Sequence, residues 1–376
     1  MLALTCLRRW IWIPWVVLAI AALLACGEDG DRVGRGVAGR ASGGLVFVRE
    51  VDGQADLARA RIADGAVTAL SPTPGREEQW PYWSDVARRV VFAARPYGPS
   101  LETDLFLWDP DTGEERTVAS MPGRDERWPT WSPVEPRLAY VFKQPRRSSG
   151  IAVYDLATER SELVASVAFP GSLVRPAFSP DGQRLVAERR ARRSSGTELW
   201  LLELGRAPRR LTGDPGALDM KARFTTDGRA ILFTRWPEEG GKADLLLLDL
   251  ESGTQRQLAS LPGASDSSAW PSPTRDEIAF VSDRDGSADV FLADLADGVA
   301  RNLTRSPETH EATPLWSPDG ERVAILRRPR TEGGRKPSAA ENRLAVIDRE
   351  GRTLFETQGM MADWMPAWSE DGPRQR

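Results

Sequence analysis

A chain of 376 residues, 41% of them apolar and 28% charged, is long enough to bury a large core and polar enough to keep its surface in water. Its 54 acidic residues slightly outnumber its 50 basic ones, which excludes the strong positive field on which nucleic-acid binding depends. Two cysteines and a single histidine leave almost no material for disulfide, thiol or imidazole chemistry.

In chain order, residues 1–25 come first. Arg8 and Arg9 precede an almost uncharged run, WIWIPWVVLAIAALLA, that ends in small residues and Cys26. An apolar run of this length broken by Pro14 is short for a membrane span, which takes about twenty residues, and reads as an export signal. Leu23-Leu24-Ala25-Cys26 resembles the lipobox of bacterial lipoproteins. That resemblance implies removal of residues 1–25 and attachment of a lipid to the Cys26 thiol, with Cys6 lost alongside the signal. The expected location is the periplasmic side of the outer membrane or the cell surface; Gly27 stands where Asp commonly marks inner-membrane retention, and the sequence leaves the choice between inner and outer membrane open. Residues 26–43 carry many glycines and almost no bulky apolar side chain, the composition of a flexible tether.

From residue 44 onward the chain repeats itself. REEQWPYWS at 76–84 returns as RDERWPTWS at 124–132, and degenerate relatives follow to the end: AFSPDGQRLVA, RFTTDGRAILF, WPSPTRDEIAF, LWSPDGERVAI and AWSEDG. The aligned hydroxyl residues are Ser84, Ser132, Ser179, Thr225, Ser272, Ser317 and Ser369, at intervals of 48, 47, 46, 47, 45 and 52 residues. A near-constant period in this range marks a repeat fold. Within each unit, apolar runs of four to seven residues alternate with Gly/Asp/Pro/Ser clusters, the grammar of strands and turns with no competing helical periodicity. Each unit therefore reads as a four-stranded antiparallel blade, and residues 44–376 as an all-β propeller. The first unit lacks an inner strand and the last has nothing else. Seven blades closed by a 1+3 strand exchange between the termini is the expected architecture, six or eight being the alternatives; closure removes the open edges of a linear array.

S-P-D-G before an apolar run, then D-[apolar]-D and L-T, as in FSPDGQRLVAE, WSPDGERVAIL, DVFLADL and RRLTG, resembles the propeller of the TolB family and of prolyl-oligopeptidase-type peptidases. The resemblance is to the propeller alone, without TolB's N-terminal domain. It implies a WD40-like β-propeller that binds partners, and against the peptidases' chemistry it finds no G-x-S-x-G elbow and only His310 for a triad. Oligogalacturonate lyases of similar repeat hold a transition metal through several histidines, which this chain lacks.

Six residues before each aligned hydroxyl the chain carries Glu78, Glu126, Leu173, Asp219, Asp266, Glu311 and Asp363. In a ring of blades these positions form a circle, expected at one mouth of the central channel, where close carboxylates repel unless something positive lies near. They are expected to offer oxygen ligands to Ca²⁺ or to a basic group of a partner, or else to accept backbone N–H bonds in their own turns. Trp80 and Trp128 lie two residues beyond two of the acids, with Arg175 and Lys221 at the same position in the next blades; they are expected to bind an apolar or aromatic group or to pack between blades. Prolines 81, 129, 176, 314 and 366 read as first residues of inner strands. Basic loops such as QPRRSSG and RRPRTEGGRKPSAAEN fall on the same face as the acids. The function expected is a non-enzymatic, lipid-anchored envelope scaffold that binds a protein, peptide or glycan at this mouth, with a polysaccharide lyase or hydrolase as the alternative.

Overall fold

The computed structural model describes residues 43–366 apart from 71–72, 99–101, 120–122, 191–195, 238 and 332–336. The signal, Cys26 and nearly all of the tether lie outside the described residues, as do Trp368, Ser369 and the basic residues Arg192, Arg193, Arg335 and Lys336. Among the described residues there is no α-helix, and no helix long and apolar enough to cross a membrane.

The strands, β1–β28 in chain order, fall into seven groups of four. Six groups are consecutive, beginning with the inner strands β4 (Arg76–Ser84), β8 (Asp125–Trp131), β12 (Ser172–Phe178), β16 (Ala217–Phe224), β20 (Asp266–Pro271) and β24 (Thr309–Trp316). Blades four and five merge into one eight-stranded sheet through a single parallel pair, Thr197 with Leu218. The remaining blade joins β28 (Met360–Met365) to β1 (Gly44–Val51), β2 (Gln54–Arg61) and β3 (Val67–Ala69). Leu45 pairs with Trp364 and Val46 with Asp363, so the first and last described strands close the ring as the sequence expects.

The core lies between blades. Second strands such as 89–96 are buried along almost their whole length, whereas outermost strands such as 115–119 are mostly exposed. Side chains of successive blades interleave: Val46 and Leu57 of the first pack with Trp83 and Phe92 of the second. Burying one such Phe stabilises the fold by about 1.5–3 kcal/mol. Turns of the S-P-D-G type close the lower edge, and Gly320 there has φ +70° and no room for a Cβ, which would lie 2.1 Å from Thr274 Oγ1.

One repeating hydrogen bond fixes the equivalences. The indole N–H of Trp131 donates to the Tyr82 carbonyl at 3.0 Å, that of Trp316 to Trp270 at 3.1 Å, and that of Trp364 to Leu315 at 3.0 Å. Trp364, and not Trp368, is therefore the anchor aromatic of the last inner strand. The interval to Trp316 becomes 48 residues, in line with the rest, and the apparent 52-residue repeat is an alignment error produced by two tryptophans four residues apart. The position equivalent to Glu78 is then Gly359, where a Cβ would meet the Phe47 ring at 2.5 Å.

Candidate binding site in the central channel

The acids that the sequence places in a ring are all interior. Glu78, Glu126, Asp219, Asp266, Glu311 and Asp363 are each no more than 2% exposed. Four are neutralised by an arginine of their own blade. Glu78 accepts from Arg76 at 2.7 Å, Asp219 from Arg235 through two bonds of 2.6 and 2.8 Å, Asp266 from Arg284 at 2.9 Å and Glu311 from Arg327 at 3.3 Å. Glu78 also accepts the Leu57 backbone N–H at 2.7 Å, and Glu311 that of Val290 at 3.4 Å, in each case from the preceding blade. Asp363, displaced from the ring by the corrected register, accepts the N–H groups of Trp83 and Trp364 at 2.7 and 2.8 Å.

Glu78, Glu311 and Asp363 bond across to the neighbouring blade, and the buried acids do not form an open acidic mouth. Among the described residues no group of three or more His, Cys, Asp or Glu converges as a metal site would require. Glu126 differs from the others. Its Oε2 is buried without a hydrogen-bond partner, and burial, reinforced by the nearby Asp104 charge, pushes its carboxyl up to about 7.

Two residues further along, each inner strand holds one non-glycine residue in the left-handed region: Trp80 (φ 50°), Trp128 (48°), Arg175 (49°), Lys221 (58°), Ser268 (56°), Thr313 (49°) and Met361 (50°). All seven sit where the pairing register shifts, as between Gln79 and Tyr82 in β4, and are β-bulge residues. Such a backbone costs about 1–2 kcal/mol per residue, so the ring stores strain to re-aim these side chains. The sequence signal was present: the next residue is always Pro or Ala, namely Pro81, Pro129, Pro176, Ala222, Ala269, Pro314 and Ala362. These prolines interrupt the ladder inside the strand at the bulge, where no donor is needed, and do not begin it; Pro366 follows β28.

Arg175, Lys221, Ser268 and Thr313 line a narrow cavity of about 10 Å³ together with Arg223 and Trp270. Because inner strands of four successive blades contribute, this cavity is the throat of the central channel. Trp80 and Trp128 continue the wall, their ring centroids 5.9 Å apart. Trp128 is flanked by two cations, Lys143 Nζ at 4.8 Å and the Arg175 guanidinium at 5.9 Å from its centroid. Arg175 is held by Glu188 at 3.1 Å, and the Lys221 ammonium donates to Ser268 Oγ at 2.6 Å. Burial, with Arg127, Arg190 and Arg175 close by and only Asp125 opposing, pushes the Lys143 ammonium down to about 8. The residues named from the sequence at the bulges thus meet in one place, joined by Arg190, read from the sequence as a basic loop residue, and by Lys143, Arg223, Ser268 and Thr313, which it did not single out.

A wider surface groove of about 610 Å³ beside the seventh blade contains Arg327 and Arg343, but Arg327 pairs with Glu311 and Glu356 and Arg343 donates to the Ala340 and Asn342 carbonyls. His310, on β24, is exposed and paired in register with Arg328.

A family model described as the TolB β-propeller domain matches residues 127–370, well over half of the chain. The chain belongs to the TolB β-propeller family. Among solved structures this TolB-type propeller is similar to TolB from Acinetobacter baumannii, with 21% identity over 86% of this chain and 82% of that one and a TM-score of 0.50. A prolyl endopeptidase aligns at TM-score 0.64 and 16% identity over 89% of this chain but only 50% of its own length. An oligogalacturonate lyase in complex with manganese aligns at TM-score 0.60 and 17% identity over 79% and 84% of the two chains. At these identities the likeness is one of fold, and the propeller scaffold is what they share.

Proposed function

We propose that this TolB-type propeller is a non-enzymatic binding scaffold of the bacterial cell envelope, anchored by a lipid on Cys26, that captures a protein or peptide at the bulge-lined end of its channel. The observation that carries this reading is the ring of seven strained, non-glycine bulge residues. Strain of this size persists where the aimed side chains have work to do at the axis, and here they build a continuous aromatic and cationic wall. Against the lyase and hydrolase alternative stands the wall's chemistry: among the described residues its lining contains no carboxylate pair, no thiol and no imidazole, and His310 is exposed near the start of β24, outside that lining. A glycan remains the less favoured ligand, because the two tryptophans meet at an interplanar angle of 43° and offer no flat platform.

Two experiments test this. Photo-crosslinking in intact cells should capture an envelope protein with the wild-type chain, and at least about tenfold less of it with Trp80→Ala/Trp128→Ala, since truncated aromatic anchors typically cost 2 kcal/mol or more, by the general figure for hot spots of about that size. Undiminished capture with a folded double variant would move the site elsewhere. Membrane fractionation of Cys26→Ser should place the protein in the soluble fraction; retention in the membrane would remove the lipid anchor from the reading.

A further inference from the structure

Blades two and three carry the same three positions forty-eight residues apart and use them differently. In blade two Glu77 faces Arg95 across the first two strands and forms an ion pair with it, while Gln79 stands beside them uncharged and donates to Glu77 at 3.4 Å. In blade three the equivalent residues are Asp125, Lys143 and Arg127. Arg127 takes the carboxylate for itself, its Nε 2.6 Å from Asp125 Oδ1. Among the described residues the Lys143 ammonium is left with neither an ion pair nor a hydrogen bond. Its contact is the Trp128 face, with Nζ 4.8 Å from the ring centroid, which attracts a cation but holds no lone pair for its protons.

The charged groups that face Lys143 are Asp125 and Arg127 of its own blade and Arg175 and Arg190 of the next; opposite it on the third strand lies Ser149, uncharged and bonded to the Leu173 carbonyl. The arginines keep their own partners, Asp125 and Glu188, so what reaches Lys143 is their field and not their donors. Burial is the larger cause and that field adds to it, bringing the ammonium down to about 8. At neutral pH roughly a tenth of the amine is then free base, where an ordinary lysine offers almost none. A half-buried primary amine in its neutral form is a nucleophile.

We infer that Lys143 is a carbamate site, whose free Nζ adds carbon dioxide. The nitrogen lone pair forms the C–N bond, one C–O π bond opens onto oxygen, and the amine gives up one proton to solvent, leaving a carbamate anion with nothing oxidised or reduced. Carbon dioxide is small and uncharged and needs no preformed pocket. The field that disfavours an ammonium here favours the anion that replaces it. Addition turns a positive charge beside Trp128 into a negative one, so the sign of this part of the channel wall follows the supply of carbon dioxide. The chemistry needs no partner and stands apart from the scaffold reading.

The chain has four lysines, and two of the others serve as controls: Lys221 donates to Ser268 and Lys242 pairs with Asp283. Full-length protein is equilibrated with ¹³C-labelled bicarbonate near neutral pH, the carbamate is trapped as its ethyl ester with triethyloxonium, and peptide mapping locates the label. Lys143 is expected to carry at least about tenfold more than Lys221 or Lys242. Arg127→Gln frees Asp125 to pair with Lys143 as Glu77 pairs with Arg95, and should cut the label at least about fivefold; Asp125→Asn removes the acid and should raise it about twofold. A lysine reactive through exposure alone would respond to neither. Equal trapping on the three lysines, none on Lys143, or a label indifferent to both substitutions in folded protein would overturn the site. Acylation of Lys143 by acetic anhydride should be half-maximal near pH 8, and a midpoint above about 10 would overturn the free amine on which it rests. Rapid acylation without any carbamate would refute the assignment to carbon dioxide.

Discussion

Glu78 and Trp80 are two residues apart on the same strand and have opposite fates. The Glu78 position is buried, ion-paired and bonded across to the neighbouring blade; the Trp80 position is strained and packed against the equivalent Trp128 of the next blade. On a regular strand, residues two apart share a face. The bulge breaks that rule, because an extra residue between Gln79 and Tyr82 turns the strand and sends the second residue to the channel. The comparison teaches that equivalent positions in a repeat can be acidic for the sake of assembly, while the site is built from the positions where the repeat lets chemistry vary. At the bulge that variation runs through Trp, Arg, Lys, Ser, Thr and Met.

The sharpest way to break this contrast is to remove an interior acid. Asp219→Ala leaves Arg235 in a largely buried position with only Asp214 to pair with, and should destabilise the fold by about 3 kcal/mol in urea unfolding, without a bulge residue being touched. A loss below about 0.5 kcal/mol would show that the acid layer is not structural. Glu126 should behave in the other direction, because its carboxyl titrates near 7 in the folded protein instead of near 4.5. A raised folded-state pKa gives stability that is complete below about 4.5 and is lost as pH rises through about 7. Glu126→Gln should therefore flatten that decline and stabilise the protein above pH 7 by on the order of 1 kcal/mol, after allowance for solvent screening; melting curves at pH 5 and pH 8 measure it. The smallest effect concerns the bulge itself. Thr313→Gly removes a β-branched residue from the left-handed region and should raise stability by up to about 1 kcal/mol, whereas a loss would mean the bulge is not strained.

Much of the fold was legible because a blade is short and periodic: strand runs, turn residues and a period near 47 residues all report the same local grammar, and the unpaired strands at the two ends announce closure. The register of the last inner strand was not legible. WMPAWSEDG offers Trp364 and Trp368 in similar settings, and only the bond from an indole to the neighbouring blade distinguishes them. The acidic circle was seen but misplaced, since burial depends on which arginine comes to lie beside an acid, as Arg235 of the next strand does beside Asp219 and Arg284 of the turn after the next strand does beside Asp266. Lys143 escaped notice, and Arg190 was read as a loop residue, for the same reason: both belong to second strands, whose approach to the site is not written in the repeat.

The pairing of Leu45 with Trp364 sets an order of events in the life of the chain. Contacts within a blade can form as soon as some forty residues have emerged, but the latch needs a partner more than three hundred residues downstream, and loop closure on that scale comes late. Until residue 364 has been made, the first blade has three strands and an open edge, and the ring has no seam to lock. The step that makes the propeller a closed, cooperative body is thus the last one available to the chain as it is made.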